Sequence, residues 1–209
     1  MKVLAIGAHF DDIELGCAGS LMRHIDKGDE VTMLVVAHSG YSTYDGKLLR
    51  TKTQSLKEGK AAAKIIGARL ICGKRKTKTL AYSYELIEFL NKWIDKLGVD
   101  LIYGHWDHDV HQDHSAIGKA ILNAGRRVPR ILMYRSNWYQ TTKEFRGTFY
   151  VDISRYIDRK IEAVRAHKTE CRMRGNRWVD FFKKVNANHG QEMDTEYAEC
   201  FETVRYLMQ

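Results

Sequence analysis

Short apolar runs recur along this chain, and each pair is separated by a stretch long enough for one helix. Lys2 to Ile6 is continuously apolar after its first residue, and helical patterning follows from about Glu14 to Lys27, stopping near Gly28. Glu30 to Val36, rich in β-branched residues, leads through a polar, glycine-punctuated loop at residues 38–46 to a helical stretch from Thr53 to Ile66. Gly67 ends that stretch as a natural C-cap. Arg69 to Cys72 then precedes a helix from Tyr84 to Leu97, which places Leu86, Phe89, Leu90, Trp93 and Leu97 on one side. Leu101 to Tyr103, a helix from Ser115 to Asn123, and Arg130 to Arg135 behind the sole proline, Pro129, repeat the pattern. Strands that are apolar throughout, not at alternate positions, are those buried on both faces. Strands alternating with helices close as a parallel sheet between two helical layers.

The expected fold class is therefore α/β: a Rossmann-like three-layer sandwich with a mainly parallel sheet and an active site at the carboxyl ends of the strands. Phe149 to Ile153 reads as a late strand, Tyr156 to His167 as a helix, Met173 to Gly190 as mixed and loop-like, and Tyr197 to Met208 as a closing strand. At 209 residues the chain suits a single domain, 1–209.

Two polar clusters interrupt this pattern, and both follow strands. The first is Ala8-His9-Phe10-Asp11-Asp12-Ile13-Glu14, directly after the first strand. Asp11 and Glu14 have the spacing of a capping box, and Asp12 suits the helix dipole, so a helix start accounts for the acids. It does not account for His9 or the doubled aspartate. The second cluster, Gly104 to His114, holds four histidines and three aspartates in its last ten residues. A hydrolytic zinc site takes three protein ligands from His and Asp/Glu and keeps one position for water. His9 and Asp12 from one loop and His114 from the other supply such a set, with His105 and His108 left to structural roles. In a parallel sheet both loops emerge at one edge. An extended backbone sends His9 and Asp11 to one face, and the turn into the helix swings Asp12 toward the same pocket.

The remaining composition mainly excludes. No apolar run approaches the roughly 18–20 residues of a membrane span, and the N-terminal run is too short for a signal-peptide core, so a cytoplasmic protein is expected. Cys17, Cys72, Cys171 and Cys200 are scattered without a CxxC pair, which argues against a disulfide framework or zinc ribbon. The net charge of +8 gathers at Lys74-Arg75-Lys76, Lys78, Arg126-Arg127 and Arg130. Such patches can attract anionic partners, but solvated loops that keep a protein soluble account for them at least as well; no nucleic-acid fingerprint accompanies them, and no nucleic-acid partner is expected. Gly16-Cys17-Ala18-Gly19 fits GxGxxG poorly, which weighs against a nucleotide-binding module without hydrolysis.

The two clusters resemble the signatures of the LmbE/PIG-L type zinc-dependent N-deacetylases. Their first motif runs Ala-His-Pro-Asp-Asp-x-Glu, and their second resembles His-Trp-Pro-x-Asp-x-His-x-Asp-His. Here the chain reads Ala8-His9-Phe10-Asp11-Asp12-Ile13-Glu14 and His105-Trp106-Asp107-His108-Asp109-Val110-His111-Gln112-Asp113-His114. Weaker matches run from Glu58 to Gly67, at Ala166-His167-Lys168-Thr169 and from Tyr197 to Phe201, so the resemblance covers nearly the whole chain. It implies that His9, Asp12 and His114 ligate Zn²⁺ or another divalent metal. Asp11 would be the general base, His111 would face the oxyanion, preferably protonated, and Asp113 would orient His111. The implied activity is removal of acetyl from an N-acetylated amino sugar or glycoconjugate, anionic and lipid-linked forms included. Another amide or an O-acyl ester is the alternative substrate, and homo-oligomerisation stays open. The chain departs from the pattern at Phe10 and Asp107, which replace prolines, and at Ser55, where relatives carry an arginine that Arg50 would replace. Glu170 stands where glutamine is common. Loops at Ser39 to Gly46 and Ser136 to Thr142 suit a hydroxyl-rich ligand; Trp138 could stack on a sugar face, with packing its expected role.

Overall fold

The computed structural model describes residues 1–208. In chain order the elements are β1 (Lys2–Gly7), α1 (Asp12–Asp26), β2 (Glu30–Ala37), β3 (Tyr41–Ser42), β4 (Leu48–Arg50), α2 (Lys52–Ile66), β5 (Arg69–Arg75) and α3 (Tyr84–Leu97). They continue with β6 (Leu101–His105), α4 (Gln112–Ala124), β7 (Arg130–Tyr134), β8 (Phe149–Asp152), a 3₁₀ turn at Ser154–Tyr156, α5 (Ile157–Arg165), α6 (Lys168–Arg174), α7 (Asn176–Glu192) and β9 (Ala198–Tyr206). The central sheet has seven strands in the order β5-β2-β1-β6-β7-β9-β8. The first five run parallel, and β9 and β8 add antiparallel pairs at one edge. The expected α/β architecture is the observed one.

Strand order explains where a ligand can enter. From β1 the chain winds outward to β2 and β5, then returns to lay β6 against the other side of β1. The connections after β1 and β6 therefore leave the sheet in opposite directions and open a crevice between them, the usual ligand position in doubly wound sheets. The two polar clusters are those two connections.

Alternating side chains of the buried strands feed two cores. Val3 and Ala5 pack into a layer with residues of α1, α2, α5 and α7. Leu4 and Ile6 face the other way, against Leu86, Leu90 and Ile94 of α3 and the apolar face of α4. The largest departure from the sequence reading is Met173 to Gly190, which is helical: α6 ends at Gly175 (φ 72°) and α7 spans seventeen residues. Trp178, Val179, Phe182 and Asn186 form its buried stripe, and Asn186 donates to the Ala198 carbonyl at 3.0 Å. The charged residues between them hide that periodicity when the segment is scanned for apolar runs. β5 extends to Arg75 and absorbs part of the basic stretch, and the polar loop after β2 contains one strand of the β3–β4 hairpin. Among the described residues the four cysteines are free, and no helix is long and apolar enough to cross a membrane.

One ion pair ties the antiparallel edge to the helix that carries the first cluster. Lys160 of α5 and Glu199 of β9 are both fully buried and meet at 2.7 Å. Lys160 Nζ also donates to the Leu15 carbonyl (2.9 Å), while Glu199 accepts the Gly19 and Ser20 amides and the Ser20 hydroxyl. Every polar group here has a partner, which a buried pair needs to offset its desolvation. Removing one partner strands a charge. Lys160→Met should cost ~3–5 kcal/mol in chemical denaturation, and Lys160→Met with Glu199→Gln should recover part of it. A single-variant loss under about 1 kcal/mol would mean that the pair does not carry this weight.

Candidate active site

β1 ends at Gly7, and the backbone turns sharply before α1 begins at Asp12. The turn is strained at Asp11, whose φ is 124° and ψ −27°. The capping box expected of Asp11 and Glu14 does not form, because in that conformation the Asp11 side chain makes no bond to the helix amides. Its carboxylate instead lines a cavity of about 230 Å³ together with His9, Asp12, His111, His114, Ser136 and Trp138. Glu14 is turned inward as well, and pairs with His167 at 3.0 Å.

Where relatives of the resembled family carry proline, three neighbours fix Phe10. Its amide donates to Ser39 Oγ (2.8 Å), and its carbonyl accepts from the Arg50 guanidinium (3.2 Å). Its ring lies so close to Gly59 that a Cβ there would sit 2.1 Å from the ring. Ser39 is itself buried and held at φ 54°. Two strained residues are thus coupled through the Phe10 amide, a group that proline lacks. Arg50 lines the cavity but is occupied here and by Glu58 (2.8 Å), His167 (3.2 Å) and Glu170 (3.4 Å), so it braces the turn.

Asp12 is the hub of the site. One oxygen accepts the His9 amide (2.7 Å) and lies 3.1 Å from His105 Nε2. The other accepts the Ser136 hydroxyl (3.0 Å) and lies 3.2 Å from His114 Nε2. Burial favours the neutral acid, but the His114 and His105 imidazoles outweigh it and hold the carboxyl well below its usual range. His9 presents Nδ1 to Asp12 at 3.4 Å and Nε2 to Asp113 at 2.8 Å. His114 repeats this arrangement, with Nε2 toward Asp12 and Nδ1 3.3 Å from Asp109. Each imidazole therefore has one nitrogen backed by an outer carboxylate and the other turned to the central one, as metal-ligating histidines commonly do.

The structure brings His9, Asp12, His111, His114 and Asp113 into one cluster and corrects the role of Asp113. Its carboxylate contacts His9 and the backbone amides of Lys78 (2.7 Å) and Leu80 (3.0 Å), not the His111 ring. His111 is the N-cap of α4, and its Nδ1 accepts the Asp113 amide at 3.2 Å. The ring's proton is thus left on Nε2, so it can donate while neutral. Burial and the nearby His114 and His9 push its pKa down to about 4, against the protonated form expected from the sequence. Asp11 moves the other way. Burial, Asp12 and Glu170 push it up to about 7.

Among the described residues two overlapping groups have donor atoms within 4.8 Å of one another, His9, His111 and His114, and Asp12, His105 and His114, so the expected set of His9, Asp12 and His114 is divided between them and shares His114 with both. His105 is fully buried and stacks on His114 (4.1 Å, 15°). Its Nε2 accepts the Ala8 amide (3.0 Å) and, without a proton on that nitrogen, faces Asp12 at 3.1 Å without bonding it, while its buried Nδ1 has no partner among the described residues. Burial opposes protonation of His9 and His114, yet the surrounding carboxylates raise them to about 9 and 10. Two imidazoles, each backed by an outer carboxylate, together with the Asp12 carboxylate are donors of the kind a divalent zinc-type ion takes. Asp109, which the sequence reading passed over, backs His114 and is gripped by Asn137 and the His111 amide. Its place five residues before His114 was the available signal.

Known proteins resemble the chain in sequence and in fold. The model of the family described as "PIG-L: GlcNAc-PI de-N-acetylase" matches residues 4–125. The Escherichia coli protein named "Uncharacterized deacetylase YaiS" is 32% identical over 176 residues, covering 80% of this chain and 90% of its own length. Diacetylchitobiose deacetylase of Thermococcus kodakarensis is 26% identical over 221 residues, covering 95% of this chain and 81% of its own. In fold, the crystal structure of the conserved protein TT1542 of Thermus thermophilus aligns over 100% of this chain and 97% of its own, with a TM-score of 0.82 at 23% identity.

Two outcomes test the geometry. Ser39→Ala leaves a buried amide unpaired and should lower stability by about 1–3 kcal/mol, whereas in a Phe10→Pro background, which has no amide proton, the same change should cost little. An equal loss in both backgrounds would refute the coupling. Asp113→Asn should weaken zinc binding by about 10–100-fold in a chelator competition, since His9 loses its carboxylate partner; unchanged affinity would remove Asp113 from that role.

Proposed function

The chain belongs to the PIG-L family of deacetylases, and from that premise we propose that it is a zinc-type hydrolase that releases acetate from an N-acetylated amino sugar or its glycoconjugate. The observation that carries this reading is the pair of histidines, each backed by a carboxylate and converging on Asp12 beside an unbonded aspartate. His9, Asp12 and His114 would hold the ion, which when bound supplies Lewis acidity and lowers the pKa of water toward about 7.

The remaining residues divide the proton work. Asp11 is nine-tenths buried, and its pKa near 7 suits a group that takes a proton from water and returns it to the departing amine. Its strained backbone keeps its carboxylate off the helix amides, and Asp12 occupies the ligand position next to it. His111 offers Nε2–H toward the oxyanion formed as water attacks the carbonyl, and the α4 backbone fixes its tautomer. Ser136, Asn137, Trp138 and Tyr139 line the cavity beyond, where aromatic rings and amide or hydroxyl groups suit a sugar. The name of the Thermococcus relative points to the same substrate class.

The decisive measurement is metal content of the purified protein together with acetate release from a panel of N-acetyl sugars. Asp11→Asn should retain the metal and lose about 10²–10⁴-fold in kcat, because the proton acceptor goes while the shape stays. Full activity in that variant would end its assignment as base. His114→Ala should lose the metal, and wild-type metal content there would remove it from the ligand set.

A further inference from the structure

Early in the connection between β7 and β8, two adjacent side chains reach carboxylates of the site. Ser136 donates its hydroxyl to Asp12 (3.0 Å), and Asn137 gives Nδ2 to both oxygens of Asp109 (2.6 Å each). These carboxylates stand at opposite nitrogens of one imidazole: Asp12 lies 3.2 Å from His114 Nε2, and Asp109 lies 3.3 Å from its Nδ1. That buried Nδ1 makes no hydrogen bond to any other group among the described residues. One dipeptide therefore holds both flanks of a proposed metal ligand. The next two residues, Trp138 and Tyr139, line the catalytic cavity.

Asn137 is joined to that wall as well. Its Oδ1 accepts the Tyr139 amide (3.0 Å), and the Arg135 guanidinium closes the turn on the Tyr139 carbonyl (2.8 Å). The orientation of the side-chain amide is thereby forced, because the reversed one would set its oxygen against a carboxylate and its NH2 against an N–H. Packing alone does not hold it. Asn137 is half-buried and lines the catalytic cavity on one side and a second cavity of about 110 Å³ on the other, shared with Phe145, Phe181 and Asn186. Space on two sides leaves its hydrogen bonds to fix it. Asp109 depends on it in turn: apart from Asn137 and the His114 ring, this carboxylate meets the His111 amide (2.8 Å).

We infer that Asn137 is a positioning residue, which sets His114 through Asp109 and ties it to the wall that meets the sugar. The inference rests on the reading of this site as a zinc-type deacetylase and adds a residue outside both the ligand set and the proton work. With Nδ2 shared between its two oxygens, the Asp109 carboxylate is kept from rotating away from His114 Nδ1. Nδ1 then keeps the proton, and Nε2 is left to ligate. Bonds of this kind, to a charged acceptor, are stronger than those between neutral groups. Through Oδ1 the same side chain holds Tyr139 at a fixed distance from that ligand, so a sugar seated against the wall is also placed relative to the ion.

The test is a double-mutant cycle on the full chain. Zinc affinity is measured by chelator competition, and the visible spectrum of the cobalt(II)-loaded protein reports the ligand geometry. Asn137→Ala should weaken zinc binding by about tenfold and alter the cobalt spectrum, while the metal-free variant melts with the wild type. Asp109→Ala should cost about 10–100-fold, and adding Asn137→Ala to it should change neither affinity nor spectrum further. At saturating zinc, Asn137→Ala should raise KM for N-acetylglucosamine, whereas Asp109→Ala should lower kcat and leave KM unchanged. Unchanged zinc affinity in Asn137→Ala, an equal loss in both backgrounds, or a metal-free variant that melts well below the wild type overturns the coupling to His114. An unchanged KM overturns the tie to the wall. Affinity and spectrum need no turnover, so failure to hydrolyse any N-acetyl sugar would end the deacetylase reading and leave the coupling to His114 standing.

Discussion

A single buried carboxylate, that of Asp12, holds the functional end of this molecule together. It lies in the first turn of α1 and takes the His9 amide, the Ser136 hydroxyl and the approach of two imidazoles. These partners come from three separate connections at the carboxyl edge of the sheet. A buried carboxylate survives only if its partners outweigh the loss of water, and here two of those partners, His9 and His114, are proposed metal ligands. Fold and chemistry therefore meet in one group, and a substitution there disturbs both.

Outside that hub, a second tier of carboxylates sets direction. Asp113 and Asp109 each back one histidine, and each is in turn held by backbone amides or by Asn137. Asp113 also fixes the loop that presents Thr77 and Lys78 to the cavity. Further below, Glu58, Glu170, Glu14, Arg50 and His167 form a charged layer under the Asp11 turn. That layer offsets the absence of the ring constraint that proline would impose at position 10. Three non-covalent contacts to Ser39, Arg50 and Gly59 restrain Phe10 instead.

Much of this was legible beforehand because it depends on local pattern. The apolar runs marked the parallel strands, and the polar clusters after two of them marked the edge on which a site had to lie. The misreadings have a common origin in interactions that no local pattern carries. α7 falls in a stretch that reads as mixed and loop-like, because its apolar stripe is assembled against β9, which comes later in the chain. The Asp11 cap failed because a strained φ turned the carboxylate away, and nothing in the spacing of Asp11 and Glu14 announces that strain. The family resemblance implies that Asp113 orients His111, whereas its carboxylate contacts a histidine 104 residues away.

By itself the sequence determined the layer architecture, the edge of the sheet that carries the chemistry, and the residue types available there. Periodicity and side-chain chemistry are properties of short segments, and short segments suffice to read them. Only the tertiary structure decided which nitrogen of each histidine faces Asp12 and which carboxylate stands behind it. Those are choices of distance and direction made when β6 is laid beside β1. Laying β7 beside β6 likewise sets Asn137 between Asp109 and Tyr139, a placement that no spacing in the sequence marks.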